Sequence, residues 1–208
     1  TVESVDEIPE NSIVVFSAHG SPPSDYLKAK ERKLTVLDAI CPLVTKVHNE
    51  AKKYSKEGKN IILIGHKGHQ EVIGTSGQTE MDIIDDKNPK IPKYKKNSEI
   101  AVLTQTTLSV KDTLKAVKSV QKRYPNSIIR NDICYATTNR QKAIAKLASK
   151  VDLVLVIGAK NSSNCNRLKE TAESIGKPAY LINGPEEIND DWIKNKNKIA
   201  ITSGASTP

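Results

Sequence analysis

The sequence predicts an α/β protein with mainly parallel sheets. Three observations carry that prediction: short Val/Ile/Leu runs, stretches of helical spacing that alternate with them, and a polar tail on every run. The five apolar runs, at 13–16, 61–64, 100–103, 153–157 and 199–201, have the length and β-branched content of strands covered on both faces. After Pro42, Val44, Val47, Ala51 and Tyr54 recur every three or four residues, and Gly58 is a suitable stop. Val110, Leu114, Val117 and Val120 repeat the pattern before Pro125. Ile144, Leu147 and Ala148 do so before the run at 153, and Leu168, Ala172 and Ile175 do so before Gly176.

The five tails are alike in chemistry. They read Ser17-Ala18-His19-Gly20, Gly65-His66-Lys67-Gly68-His69, Thr104-Gln105-Thr106-Thr107, Gly158-Ala159-Lys160-Asn161-Ser162-Ser163-Asn164 and Thr202-Ser203-Gly204-Ala205-Ser206. In open parallel sheets ligands sit beyond the carboxyl ends of strands, where helix starts point free amides. Hydroxyls, amides and imidazoles there, with glycines admitting close backbone approach, describe a phosphate or diphosphate cradle. Any one tail is equally explained by helix capping, and it is the recurrence in all five that favours a site. No GxGxxG or GxxxxGK[ST] sequence occurs, which disfavours ordinary dinucleotide and P-loop chemistry.

Composition narrows the partners. The 208 residues can bury a real core as one domain or two small ones. Hydrophobic content of 37% with 27% charged residues places the chain among globular rather than disordered proteins. No apolar run approaches the ~20 residues that cross a bilayer, so no membrane association is expected. The opening residues have neither the basic start nor the apolar stretch of a secretory signal, which predicts an intracellular or organelle-lumen home, and Thr1 in place of Met suggests a processed or trimmed start. A net charge of +8 suits an anionic partner. Nucleic acid is disfavoured, because the lysines are scattered and 1 Phe with 1 Trp cannot build a stacking platform. Lys, Asn and Ile enrichment fits an AT-biased gene, hence a bacterial cytoplasm or a plastid or apicoplast stroma, with the plastid-type organelle favoured.

Cys41, Cys134 and Cys165 are odd in number and widely spaced, so thiols or metal ligands are expected rather than a disulfide framework. Cys41 precedes Pro42 and therefore sits at a helix start, where the thiolate is favoured. Cys134, in Asp132-Ile133-Cys134-Tyr135, has a comparable place. Each is also compatible with a small buried hydrophobe. His69 and Glu71 are the best acid–base candidates, an imidazole for phosphate oxygen and a carboxyl to protonate a leaving hydroxyl, though taken alone the tetrapeptide is more readily explained as a solvated polar turn. No HExxH or CxxC pairing supports zinc.

Seven segments in order resemble the motif set of the IspH/LytB family, the 4-hydroxy-3-methylbut-2-enyl diphosphate reductases. They are Ser17-Ala18-His19-Gly20, Cys41-Pro42-Leu43-Val44-Thr45-Lys46-Val47-His48, Gly65-His66-Lys67-Gly68-His69-Gln70-Glu71, Thr104-Gln105-Thr106-Thr107-Leu108-Ser109, Asp132-Ile133-Cys134-Tyr135-Ala136-Thr137-Thr138-Asn139-Arg140, Lys160-Asn161-Ser162-Ser163-Asn164 and Gly204-Ala205-Ser206.

The resemblance implies a three-lobed, pseudo-threefold arrangement of small parallel-sheet α/β domains around a central site, divided here as 1–40, 41–131 and 132–208, with the first lobe incomplete and its sheet edge and apolar surface exposed. It implies an iron–sulfur reductase that converts 4-hydroxy-3-methylbut-2-enyl diphosphate to isopentenyl and dimethylallyl diphosphate by reductive dehydroxylation, the last step of the non-mevalonate (MEP) pathway, fed by ferredoxin or flavodoxin. Carried over by position, Cys41 and Cys134 are ligands of a [4Fe–4S] cluster whose third cysteine is absent from this chain, and Cys165 is a spare thiol. Glu71 is the proton donor, and Thr106 bonds the hydroxyl and relays its proton. His19, His69, Ser162, Asn164 and Ser206 hold the diphosphate, with Ser163 and Thr107 nearby. With two cluster cysteines the 208 residues are expected to hold an incomplete cluster. The competing readings are another cysteine-ligated metalloenzyme on a phosphorylated metabolite and a non-catalytic anion-binding module.

Overall fold

Three separate sheets, every strand pair parallel, carry the chain in the computed structural model, which describes residues 2–205 and 207. Two compact units divide it, one of Thr1–Thr106 with Lys111–Asp132, the other of Thr107–Val110 with Ile133–Pro208.

In the first unit β1 (Ile13–Phe16) pairs with β2 (Thr35–Asp38), and α1 (Pro23–Glu31) connects them. A second sheet has the order β4-β3-β5-β6, from β3 (Asn60–Ile64), β4 (Asp82–Ile84), β5 (Ile100–Thr104) and β6 (Ile128–Ile129). Its helices are α2 (Pro42–Lys56), α3 (Gln70–Ser76) and α4 (Val110–Arg123). In the second unit β7 (Leu153–Ile157) lies between β8 (Ala179–Ile182) and β9 (Ile199–Ser203), with α5 (Tyr135–Ala148), α6 (Ser163–Glu173) and the short α7 (Asp190–Ile193).

The α/β prediction holds because local preference and burial agree. Pro42 opens α2, where its missing N–H costs nothing. The stripe Val47, Ala51 and Tyr54 then packs on Ile61, Leu63, Ala101 and Leu103 of β3 and β5. Every residue of β5 is buried, as a central strand covered on both faces requires. In the second unit Val154 and Val156 of β7 meet Ile144, Ala148, Leu168 and Ala172 of the two long helices. Fully burying one such aliphatic side chain stabilises by about 1.5–3 kcal/mol.

All five apolar runs are strands, but two are not covered on both faces. Ile13 and Val15 of β1 are 70% and 63% exposed, and Ile201 of β9 is 63% exposed. Leu37 of β2, paired in register with Val15, is also exposed, so the first sheet carries an apolar stripe on its outer side, as expected for an incomplete sheet. The remaining strands, β2, β4, β6 and β8, escape sequence reading because each holds two to four residues at a sheet edge, too few to show a period.

Candidate active site

The candidate residues of the first unit all follow strand ends or start helices. The turn after β1 carries His19, the turn after β3 leads through His66 and His69 into α3 with Glu71, and β5 runs out into Gln105 and Thr106. His69 caps α3: its side-chain Nδ1 accepts the backbone N–H of Glu71 at 3.2 Å. That bond leaves the proton on Nε2, so the imidazole keeps a donor for a ligand. Burial, with His19 and His66 adding repulsion, pushes the His69 pKa down to about 4 and keeps the ring neutral near neutral pH. The His19 ring stands edge-on to it with centroids 5.6 Å apart, its Nδ1 3.2 Å from Ser17 Oγ, and burial lowers its pKa as well. Two neutral imidazoles side by side are primed to gain charge when an anion arrives.

Glu71 is the most unusual group of the unit. It is 2% exposed, its Oε1 accepts the Thr106 backbone N–H at 2.6 Å, and its Oε2 accepts the Thr106 hydroxyl at 3.0 Å. Burial raises its pKa to about 7 against the opposing pull of those two bonds. A carboxyl poised there donates and recovers a proton with little cost in either direction. Gln105, also buried, accepts the His66 backbone N–H through Oε1 at 3.0 Å and holds the turn that carries His69. Nothing in the sequence sets Gln105 apart from the polar residues around it, and its role is visible only once the β3–β5 pairing places its amide on the His66 N–H.

A tight backbone seam holds the His19 turn against α3. A Cβ built on Gly74 would lie 2.6 Å from the Gly20 carbonyl oxygen, and one on Gly77 would lie 2.4 Å from Pro22 Cβ. Gln78 Nε2 ties the seam by donating to the carbonyls of Ser21 and Gly74 at 3.3 and 2.8 Å. Gly20 turns with φ +77°, a conformation that favours glycine.

Cys41, a half-buried free thiol, occupies the N-cap position of α2, with its backbone N–H bonded to Ala18 O. In the second unit Cys134, a half-buried free thiol, occupies the N-cap position of α5. The two starts share one local design: the carbonyl of each cysteine accepts the N–H and the hydroxyl of a threonine four residues on, Thr45 at 3.0 and 3.3 Å and Thr138 at 2.9 and 3.2 Å. Neither thiol caps its own helix, so each sulfur is left for another partner at a positive helix end. Cys165 differs. It is 1% exposed within the second unit's core, filling the space beside Gly158 and Gly204.

The second unit's polar candidates gather at the start of α6. Ser162 caps that helix by accepting the Cys165 N–H, and Ser163 Oγ donates to the Thr107 carbonyl at 3.1 Å. Asn164 is 6% exposed, yet among the described residues neither its Oδ1 nor its Nδ2 has a hydrogen-bond partner. An unmatched buried amide of that kind costs about 1–3 kcal/mol, which a polar ligand would recover. Gln141 of α5 fixes the 107–110 segment by accepting Val110 N–H and donating to Leu108 O. Ser206 lies outside the described residues.

Residues 1–208 match the family described as LytB protein. The chain is 48% identical over 218 residues to the 4-hydroxy-3-methylbut-2-enyl diphosphate reductase of Hamiltonella defensa, aligning 100% of its own length with 68% of that protein. It is 47% identical over 216 residues to the reductase of the same name from Glaesserella parasuis, with the same shares of each chain. The solved structure of E-1-hydroxy-2-methyl-but-2-enyl-4-diphosphate reductase from Plasmodium falciparum is similar with a TM-score of 0.92 at 39% identity, over 100% of this chain and 67% of that one.

Proposed function

Since the chain belongs to the LytB protein family, we propose that it reduces 4-hydroxy-3-methylbut-2-enyl diphosphate to isopentenyl and dimethylallyl diphosphate, with Glu71 as the proton donor. The observation that carries this reading is the buried Glu71–Thr106 pair, a carboxyl protonated for part of the time at neutral pH and held by a neighbour with a relayable hydroxyl. The reaction needs such a group. Hydroxide is a poor leaving group, so the C–O bond breaks most readily as a proton reaches the oxygen and water departs. Two electrons enter, a second proton adds to either end of the allylic carbon skeleton, and the two products follow from that choice of carbon.

Cys41 and Cys134 fit the ligand chemistry of an iron–sulfur cluster, being free thiols at positive helix starts whose sulfurs cap nothing. A [4Fe–4S] cluster, when bound, supplies the electrons and Lewis acidity of the reaction. The chain's own groups do the rest. Protonated Glu71 offers its proton at the hydroxyl, and Thr106 holds that hydroxyl and passes the proton along. His69 donates through Nε2 to a diphosphate oxygen, joined by His19. The α6 start contributes Ser162, Ser163 and Asn164, with Thr107 and Ser206 assigned to the same diphosphate by resemblance. A ferredoxin or flavodoxin is the proposed electron donor. Among the described residues no helix is long and apolar enough to cross a membrane, and bacterial cytoplasm or a plastid-type stroma both suit the relatives. The three-lobed division at 41 and 132 belongs to the same proposal, supported by one sheet falling within each stretch.

The direct test is anaerobic turnover of the diphosphate with dithionite by the product of the complete reading frame. Formation of the two alkenes is expected, and a cluster-loaded protein that forms neither overturns the reading. Cluster ligation is tested separately. Cys41→Ser and Cys134→Ser are each expected to remove most of the bound iron and acid-labile sulfide, whereas Cys165→Ser leaves both at the parent level. Equal iron content in all three variants would refute the ligand assignment.

A further inference from the structure

We propose that His66, Asp85 and Asp86 form a second, cysteine-free binding site for a divalent metal ion in the first unit. The parallel register of β3 and β4 creates it: Ile64 pairs with Ile84, Gly65 N–H bonds to Ile84 O, and the next residues of each strand emerge side by side. One ligand atom from each of the three side chains lies within 4.8 Å of the other two.

Asp86 is the independent observation. It is 1% exposed, its side chain is wholly buried, and among the described residues neither carboxylate oxygen accepts a hydrogen bond. Carboxylates are rarely buried without a partner, because loss of water is not repaid. His66 stands beside it, with Nε2 3.2 Å from Oδ1 and no hydrogen bond between them. A spacing of 3.2 Å is also what two neighbouring ligand atoms adopt on one ion with bonds of about 2.1 Å. Asp85 is held for the task, its Oδ1 accepting the N–H groups of Lys87 and Asn88 at 2.9 and 3.0 Å.

One imidazole with two carboxylates selects a divalent first-row ion of intermediate hardness, such as Mn²⁺ or Zn²⁺, over Mg²⁺ or Ca²⁺. His66 is 28% exposed at its side chain and Asp85 is not buried, so the site opens to solvent and leaves room for water. Its place gives it a structural consequence. His66 O accepts the His69 N–H at 3.0 Å and His66 N–H bonds to Gln105, so an ion here clamps the turn that presents His69. The site shares no residue with the proposed cluster ligands or the proposed proton donor.

The test is titration of the full chain with Mn²⁺, read by loss of the free-ion EPR signal. A single bound equivalent is expected, with binding weakened roughly tenfold or more in Asp85→Asn and in His66→Gln. Asp85 is not buried, so its variant is expected to fold and keeps the test decisive even if substitutions at buried Asp86 do not. Undiminished free Mn²⁺ with the parent chain overturns the proposal, as does equal affinity in the parent and both variants. Competition by Mg²⁺ at the same concentration would also overturn it, since that is the behaviour of a nonspecific carboxylate surface.

Discussion

Glu71→Gln is expected to abolish turnover while making the fold more stable in mildly alkaline solution. The folded-state pKa of Glu71 is raised from 4.5 to about 7, so the native protein binds a proton that the unfolded chain has already released between those values. Stability from this group is therefore full below pH 4.5, declines as pH rises through 7 and stays low above it. The ionised carboxyl costs about 3 kcal/mol above neutrality, from about 1.4 kcal/mol per pKa unit. Gln is neutral and of the same shape. Its carbonyl oxygen accepts the Thr106 N–H and its amide donates to the Thr106 hydroxyl, so both contacts survive. Denaturant unfolding should show parent and variant converging in acid and the variant more stable in alkali. Without a transferable proton, kcat should fall by about 10²–10⁴. Normal turnover with an intact cluster would remove Glu71 from proton delivery, and equal alkaline stability would show that its burial imposes no cost.

Gly74→Ala is expected to raise KM sharply through a residue that touches no substrate. In most helices the change is favourable by about 1 kcal/mol. Here the new methyl would sit 2.6 Å from the Gly20 carbonyl oxygen, a rigid backbone atom, so the His19 turn and α3 must move apart by close to an ångström. Such overpacking costs about 1–3 kcal/mol. A misplacement on the order of 1 Å in a binding constellation can cost about a hundredfold. The measurement is KM against kcat, with melting temperature as the structural control. A rise in KM that exceeds the change in kcat is the expected outcome, because His19 binds while Glu71 reacts. Unchanged kinetics would show that the seam has room to relax.

Much of this architecture was legible in the residues themselves. Runs such as 100–103 announce a central strand because both faces are covered and no polar residue is tolerated, and β5 is buried throughout. The chemistry at strand ends was equally visible, since His69, Glu71 and Thr106 lie where a parallel sheet delivers its ligand-facing residues. Hidden from sequence were interactions set by distance across the fold. Glu71 and Thr106 are 35 residues apart, and only the β3–β5 pairing brings them together. The seam at Gly74 was invisible for the same reason, as a glycine inside a seven-residue helix reads as a weakness until the opposing carbonyl is seen. Likewise Asp86 reads as one more surface acid in a charged loop, and only register places it under His66.

The apolar stripe of Ile13, Val15 and Leu37 on the outer side of the first sheet governs how these 208 residues behave in the test tube. A two-stranded ribbon has an open hydrogen-bonding border on each strand, and its greasy flank gives colliding molecules a reason to linger. Polar replacements there are expected to reduce self-association in concentrated samples without disturbing either proposed centre.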